Sequence, residues 1–188
     1  MPAVAQGFGR IDAVVNNASL FEYDDVASFS YAAMERAWRA NTGPAVVLAR
    51  ALHASIGDAS GQHAVINLLD QKLWNPNPDY FSYSLSKAAL EAATTMLALA
   101  LAPKVRVCGV APGVTLLSGE MSGSEFATAQ RMTPLQRSLT PQDVARAVRF
   151  LLESPAITGT TLLVDGGQHL QPQPRDVMFL AREPKARS

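Results

Sequence analysis

One cysteine, Cys108, stands in the whole chain, so no internal disulfide can form and a reducing compartment is the expectation. No apolar run reaches the roughly 18 residues needed to cross a bilayer. The N-terminus has no basic stretch followed by an apolar one, so no signal peptide is read there, and a cytoplasmic protein is the default. Neither sign of charge dominates: 16 Lys and Arg balance 16 Asp and Glu. Without a field of one sign, neither nucleic acid nor a membrane surface is expected as a partner. Histidine is scarce, and His53, His63 and His169 share no metal-ligand spacing with one another or with Cys108, so no metal is assigned. Internal repeats and low-complexity stretches are also missing.

What is present is a chain of 188 residues, 48% apolar and 17% charged, long enough for one ordinary globular core. Apolar strand-like runs alternate with longer helical patterns, which predicts an α/β fold with a parallel sheet. Strands are expected at Ile11 to Val15, Ala64 to Leu69, Val105 to Val110 and Thr160 to Val164. Helical periodicity covers Ser28 to Arg39, Gly43 to Ile56 and about Tyr80 to Leu101, with a further segment near Ser124 to Met132. A turn is expected at Gly57-Asp58-Ala59-Ser60-Gly61, and Trp74-Asn75-Pro76-Asn77-Pro78 reads as a proline-broken loop. Thr140-Pro141-Gln142-Asp143 opens a helix, with Thr140 as N-cap and proline at its first position. Its apolar side is Val144, Ala147, Val148, Leu151 and Leu152. The mixed stretch from Val114 to Thr140 reads as a mobile lid. The tail beyond His169 reads as loose, apart from a small apolar anchor at Val177 to Leu180.

Chemistry concentrates around Tyr83 and Lys87. Four residues apart on a helix, they share a face, with Cβ atoms about 5–6 Å apart. A free tyrosine titrates near ~10, too high for efficient proton transfer at neutral pH. A neighbouring Lys⁺ favours the phenolate and is expected to draw that value down. Asp70 lies thirteen residues before Tyr83, where the second strand runs out. Cys108 reads as a small buried hydrophobe, and Trp74 either lines a pocket or fills its loop.

With these residues in hand, the chain resembles the short-chain dehydrogenase/reductase family from Ile11 to Gly167. Asn16-Asn17-Ala18-Ser19 is similar to the motif that closes the family's fourth strand beside the cofactor. Asn41 is similar to its catalytic asparagine, Tyr83 and Lys87 to its Tyr-x-x-x-Lys pair, and Pro112-Gly113 to the loop over the nicotinamide. Val164-Asp165-Gly166-Gly167 is similar to its closing strand. Asp70, where most members carry serine, narrows the resemblance to pteridine and dihydromonapterin reductases.

The resemblance implies a partial doubly wound, Rossmann-like sheet, strands four to seven of the family fold. It spans residues 1–170, with 171–188 as a C-terminal tail. It implies NADPH (or NADH) as cofactor, held by Asn16, Asn17, Ala18, Tyr83, Lys87, Pro112, Gly113 and Thr115. Thr115 would meet its phosphate or carboxamide. Catalysis would fall to Asn41, holding a relay water, to Asp70, protonating a pterin ring nitrogen, to Tyr83, the proton donor, and to Lys87. An ionised carboxylate has no proton to give, so Asp70 needs a raised pKa or a water relay. The expected substrate is a small molecule, a pterin, and the expected assembly a homodimer or homotetramer. The family's strand, Gly-rich turn and helix that hold the pyrophosphate are not found, since Gln6-Gly7-Phe8-Gly9 follows no strand. The expectation is a truncated reductase, weak in binding NADPH. A 3-oxoacyl or sugar reductase and a catalytically silent interaction module are the alternatives.

Overall fold

The structure, a computed structural model, describes residues 2–57, 63–117, 121–137 and 139–182. Its centre is a parallel sheet of β1 (Ala13–Asn16), β2 (His63–Leu68), β3 (Val105–Pro112) and β4 (Thr161–Val164), paired in that order. Val15 faces Ile66, Ile66 faces Cys108, and Gly109 faces Thr161. All four strands fall where the apolar runs predict them. β2 and β3 are rich in Val and Ile and buried along nearly their whole length, as strands covered on both faces must be. A side chain at Gly109 would run into Thr161 and Leu69, so only glycine fits there.

The helices are α1 (Pro2–Phe8), α2 (Tyr31–Asn41), α3 (Gly43–Ser55), α4 (Phe81–Leu101), α5 (Gly123–Arg131), α6 (Pro141–Glu153) and α7 (Val177–Arg182). On one face, Ala49 and Leu52 of α3 and Ala98 and Leu101 of α4 pack against Val65, Val105 and Val107. On the other, Leu151 of α6 packs against Ile66, Cys108 and Val110, flanked by Val144, Ala147, Val148 and Leu152. That is the stripe expected for α6, and Cys108 is the small buried hydrophobe expected of it. Fully burying one such Leu, Ile or Val side chain is worth about 1.5–3 kcal/mol. Thr140 caps α6 as predicted, in a reciprocal box with Asp143.

Helix α4 begins one residue later than its sequence pattern, and its N-cap is unusual. Tyr80 sits there in the left-handed region, with φ 55°, and offers no side-chain cap. The capping carboxylate comes instead from Asp24, buried beside it, which accepts from Ser82 N and from Ser82 Oγ. Its backbone carbonyl takes Phe81 N. A distant acid thus satisfies the donors that a local Ser or Asp would ordinarily satisfy.

The helical segment expected near Ser124 to Met132 is α5, and it packs against α7 with Ala129 and Gln130 buried, in the stretch read as a lid. Within the tail, Val177 and Met178 are buried, so the apolar anchor extends into an ordered covering of the body. The predicted turn at 58–61 and the last residues, 183–188, lie outside the described residues. Among the described residues no helix is long and apolar enough to cross a membrane, and no three metal-ligating side chains converge.

Candidate active site

The site lies beyond the carboxyl end of β2, the place where an open parallel sheet leaves a crevice. After Leu68 and Leu69 the chain turns at Asp70, whose Oδ1 accepts from Lys72 N at 2.8 Å and so caps the 3-10 turn Gln71–Trp74. That fixes the carboxylate and leaves Oδ2 free to accept from Tyr83 Oη at 2.7 Å. Lys87, one turn along α4, donates from Nζ to Leu68 O at 2.7 Å, and its ammonium lies 5.8 Å from the Tyr83 ring centroid.

Burial dominates the proton affinities here. Asp70 is raised, first by lost hydration, with the hydrogen bonds from Lys72 N and Tyr83 opposing it. Tyr83 is pushed well above its ordinary value by burial, by the Asp70 charge and by donating its hydrogen bond to Asp70. Lys87 is drawn down to about 8 by burial, with Asp70 opposing. The expected lowering of Tyr83 by Lys87 is therefore overturned. Lys87 is itself desolvated and turned to Leu68 O, while the nearest charge to the phenol is an acid. Burial shifts Asp70 in the direction its expected role needs, while both of its oxygens accept hydrogen bonds, from Lys72 N and Tyr83 Oη.

These groups open onto a cavity of about 910 Å³, whose wall also includes Asn17, Pro112, Gly113 and Thr115. Gly113 is pressed against the end of β4: a Cβ there would come within 2.9 Å of Asp165 Cα and of Gln168 Oε1. Asp165 in turn holds the Gly166-Gly167 turn by accepting from Gly167 N at 3.0 Å and His169 N at 2.8 Å. Both of those glycines have positive φ, 64° and 83°.

Three predicted residues lie off the cavity wall. Asn16 Nδ2 donates to Asn67 Oδ1 at 2.7 Å, and Asn67 Nδ2 to Thr94 Oγ1 at 2.9 Å, so Asn16 braces β1, β2 and α4. Ala18 is exposed on the turn after β1. Asn41 is buried, and its side chain is fully engaged. Oδ1 accepts from Leu20 N at 2.7 Å, and Nδ2 donates to Ser86 Oγ at 2.9 Å and Leu20 O at 3.0 Å. Its amide therefore holds the 19–20 loop against α4. Trp74, left open by the sequence, is partly exposed and off the wall.

Several wall residues escaped the sequence reading: Phe21, Gln71, Met121, Gln168, Asp176 and Met178. Phe21 stacks on Tyr80, with centroids 4.0 Å apart, and meets Tyr83 edge-on at 4.7 Å. Its place shortly after the Asn16-Asn17 turn was a usable signal. Asp176 had none: it reaches Lys72, 104 positions away, at 2.9 Å.

Comparison with known proteins accords with this geometry. A family model described as Enoyl-(Acyl carrier protein) reductase matches residues 1–169. Pteridine reductase 1 of Leishmania tarentolae is 32% identical over 187 residues, covering 87% of this chain and 64% of that protein. The granaticin polyketide synthase putative ketoacyl reductase 2 of Streptomyces violaceoruber is 34% identical, covering 87% and 68%. The FolM alternative dihydrofolate reductase 1 of Brucella canis, solved with NADP, superposes with a TM-score of 0.87 at 38% identity, covering 93% of this chain and 70% of that one. The chain spans about two thirds of the length of these curated relatives. The chain belongs to the short-chain dehydrogenase/reductase family of NAD(P)H-dependent oxidoreductases.

Proposed function

We propose that this chain carries the proton-delivering side of a reductase site that reduces a dihydropterin or dihydrofolate with NADPH. One observation carries the reading: the proton between Tyr83 Oη and Asp70 Oδ2 across 2.7 Å, at the wall of a large cavity. Reducing a C=N bond adds a hydride to carbon and a proton to nitrogen. A carboxyl of raised pKa, hydrogen-bonded to a phenol that can pass its proton on to the cavity, is a proton source suited to a ring nitrogen. A nearby FolM structure carries the name alternative dihydrofolate reductase, which favours the same substrate class.

The residues present fit the nicotinamide end of the cofactor: a buried ammonium on Lys87, the Asn17 amide and the Pro112–Gly113–Thr115 loop border one cavity. Bound there, the reduced nicotinamide supplies the hydride. Lys87 holds the ribose side, Tyr83 and Asp70 deliver the proton, and Asn16 and Asn41 position the loop that carries Asn17 and Ala18. The exposed Val47 of α3 and Leu85, Met96 and Leu99 of α4 suit association into a homodimer or homotetramer.

The test is NADPH oxidation by the purified protein with dihydrofolate, dihydrobiopterin or a 3-oxoacyl thioester. Turnover of a pterin is expected, with Asp70→Ser lowering it about tenfold or more. Preference for the thioester would replace the pterin reading with that of a ketoacyl reductase.

A further inference from the structure

Two glutamines on the cavity wall stand apart from every other buried amide near the site. Gln71 follows Asp70 directly, and Gln168 opens the 3-10 turn Gln168–Leu170 behind β4. The two turns pack against each other. Both side chains line the cavity and are nearly buried, Gln71 at 8% and Gln168 at 4% exposure. Yet the Oε1 of each is buried and accepts no hydrogen bond. Asn41, Asn67 and Gln130, equally buried, are all bonded. An unpartnered buried carbonyl lowers stability, and proteins keep such groups chiefly where something else completes them.

We propose that Gln71 and Gln168 form an amide-reading pair that selects planar ligands carrying an N–H donor beside a carbonyl. That edge occurs in a pterin lactam and in a nicotinamide carboxamide. The inference rests on the cavity being the reductase site read above. Both oxygens are turned into the wall, Gln168 Oε1 against Gly113. A primary amide offers both a donor and an acceptor, and its last torsion is soft, so each glutamine turns its oxygen toward the cavity to match the edge it meets. Neutrality matters at this location. A charged reader beside Asp70 would shift the proton shared with Tyr83, whereas an amide recognises the ligand without doing so. A ligand lacking the N–H leaves both glutamines unpaired, the condition under which a polar site discriminates most strongly.

The test uses Gln71→Leu, Gln168→Leu and the double variant, each titrated with biopterin and, separately, with reduced nicotinamide mononucleotide. Thermal unfolding is followed without added ligand. The wild-type chain is expected to bind at least one probe, and the double variant to bind it about tenfold or more weakly. The unfolding temperature should hold or rise, because an unpaired buried amide has been replaced by an apolar side chain. Weakening of biopterin alone assigns the edge to the substrate. Weakening of the mononucleotide alone assigns it to the cofactor, and upholds the pair even if pterin turnover fails. Unchanged affinity for both probes overturns the inference, as does a wild-type chain that binds neither. Should the leucine variants fail to fold, Gln71→Met and Gln168→Met keep the side-chain length. A clear fall in their unfolding temperature would make the amides structural and likewise overturn the proposal.

Discussion

On its inner side the cavity rests on neutral hydrogen bonds, running from Asn16 through Asn67 to Thr94 and from Leu20 through Asn41 to Ser86. On its outer side it is closed by charges. Lys72 pairs with Asp176 at 2.9 Å, Arg175 with Asp79 at 2.8 Å, and Asp176 N donates to Asp79 Oδ2 at 2.7 Å. The inner bonds join strands and helices that already share a core. The outer ones fasten residues 171–182 to the loop around Tyr80, beside an apolar contact in which Val177, Met178 and Phe179 meet Tyr80. The difference also reaches the chemistry. Amides leave the protons of Asp70 and Tyr83 alone, whereas the Asp176 charge pushes both upward. The outer wall is therefore both a fastening and an electrostatic input, and the inner wall is a fastening only.

The sharpest test of that division lies where the walls meet. Tyr83→Phe removes the hydroxyl bonded to Asp70 and should lower turnover about a hundredfold or more with little change in unfolding midpoint. Activity near wild type would mean that another group gives the proton. On the outer wall, Lys72→Met strands Asp176 and should cost about 3 kcal/mol in urea unfolding. The double variant Lys72→Met/Asp176→Leu should recover most of that loss, since an apolar pair in the same space costs no desolvation. If it does not, the clamp is held by something other than charge. On the inner wall, Asn67→Ala removes the acceptor of Asn16 Nδ2 and the donor to Thr94 Oγ1, which keeps its bond to Leu90 O, and should cost about 1–2 kcal/mol, with no shift in the pH profile of activity.

The smallest expected effect is a pH slope from Lys87, which sits between the two walls. Its folded value of about 8 lies below the ordinary 10.5. Below 8 both folded and unfolded chains keep the proton, and the full cost of burying the charge is present. Between these values the unfolded chain binds more protons, so stability should rise with pH across that window. Lys87→Met should remove the rise, as read from urea midpoints on either side of pH 8. A rise that survives would place the titrating group elsewhere.

The two walls were unequally legible in the sequence. The inner one is written in local pattern: Asn16 ends an apolar run, Asn41 follows an amphipathic helix, and Tyr83 and Lys87 sit one helical turn apart. The outer one is not, because Asp176 and Lys72 are far apart in the chain and neither belongs to a periodic segment. The cap of α4 was hidden for the same reason, supplied by Asp24 from 58 positions away. Gln71 and Gln168 look like ordinary polar loop residues until burial singles them out.

Hydrophobic alternation and helical spacing, which are properties of neighbours in the chain, were enough to determine a parallel α/β sheet and to set Tyr83 and Lys87 on one helix face, while Asp70 joined them through the resemblance to a family. Tertiary structure decided the protonation of that site. A pKa depends on burial and on every charge within reach, and here burial raises Tyr83 where the Tyr83–Lys87 spacing alone implied the reverse. It also decided which polar residues face the cavity and which brace its walls, since only the packed chain shows which hydrogen bonds are already made.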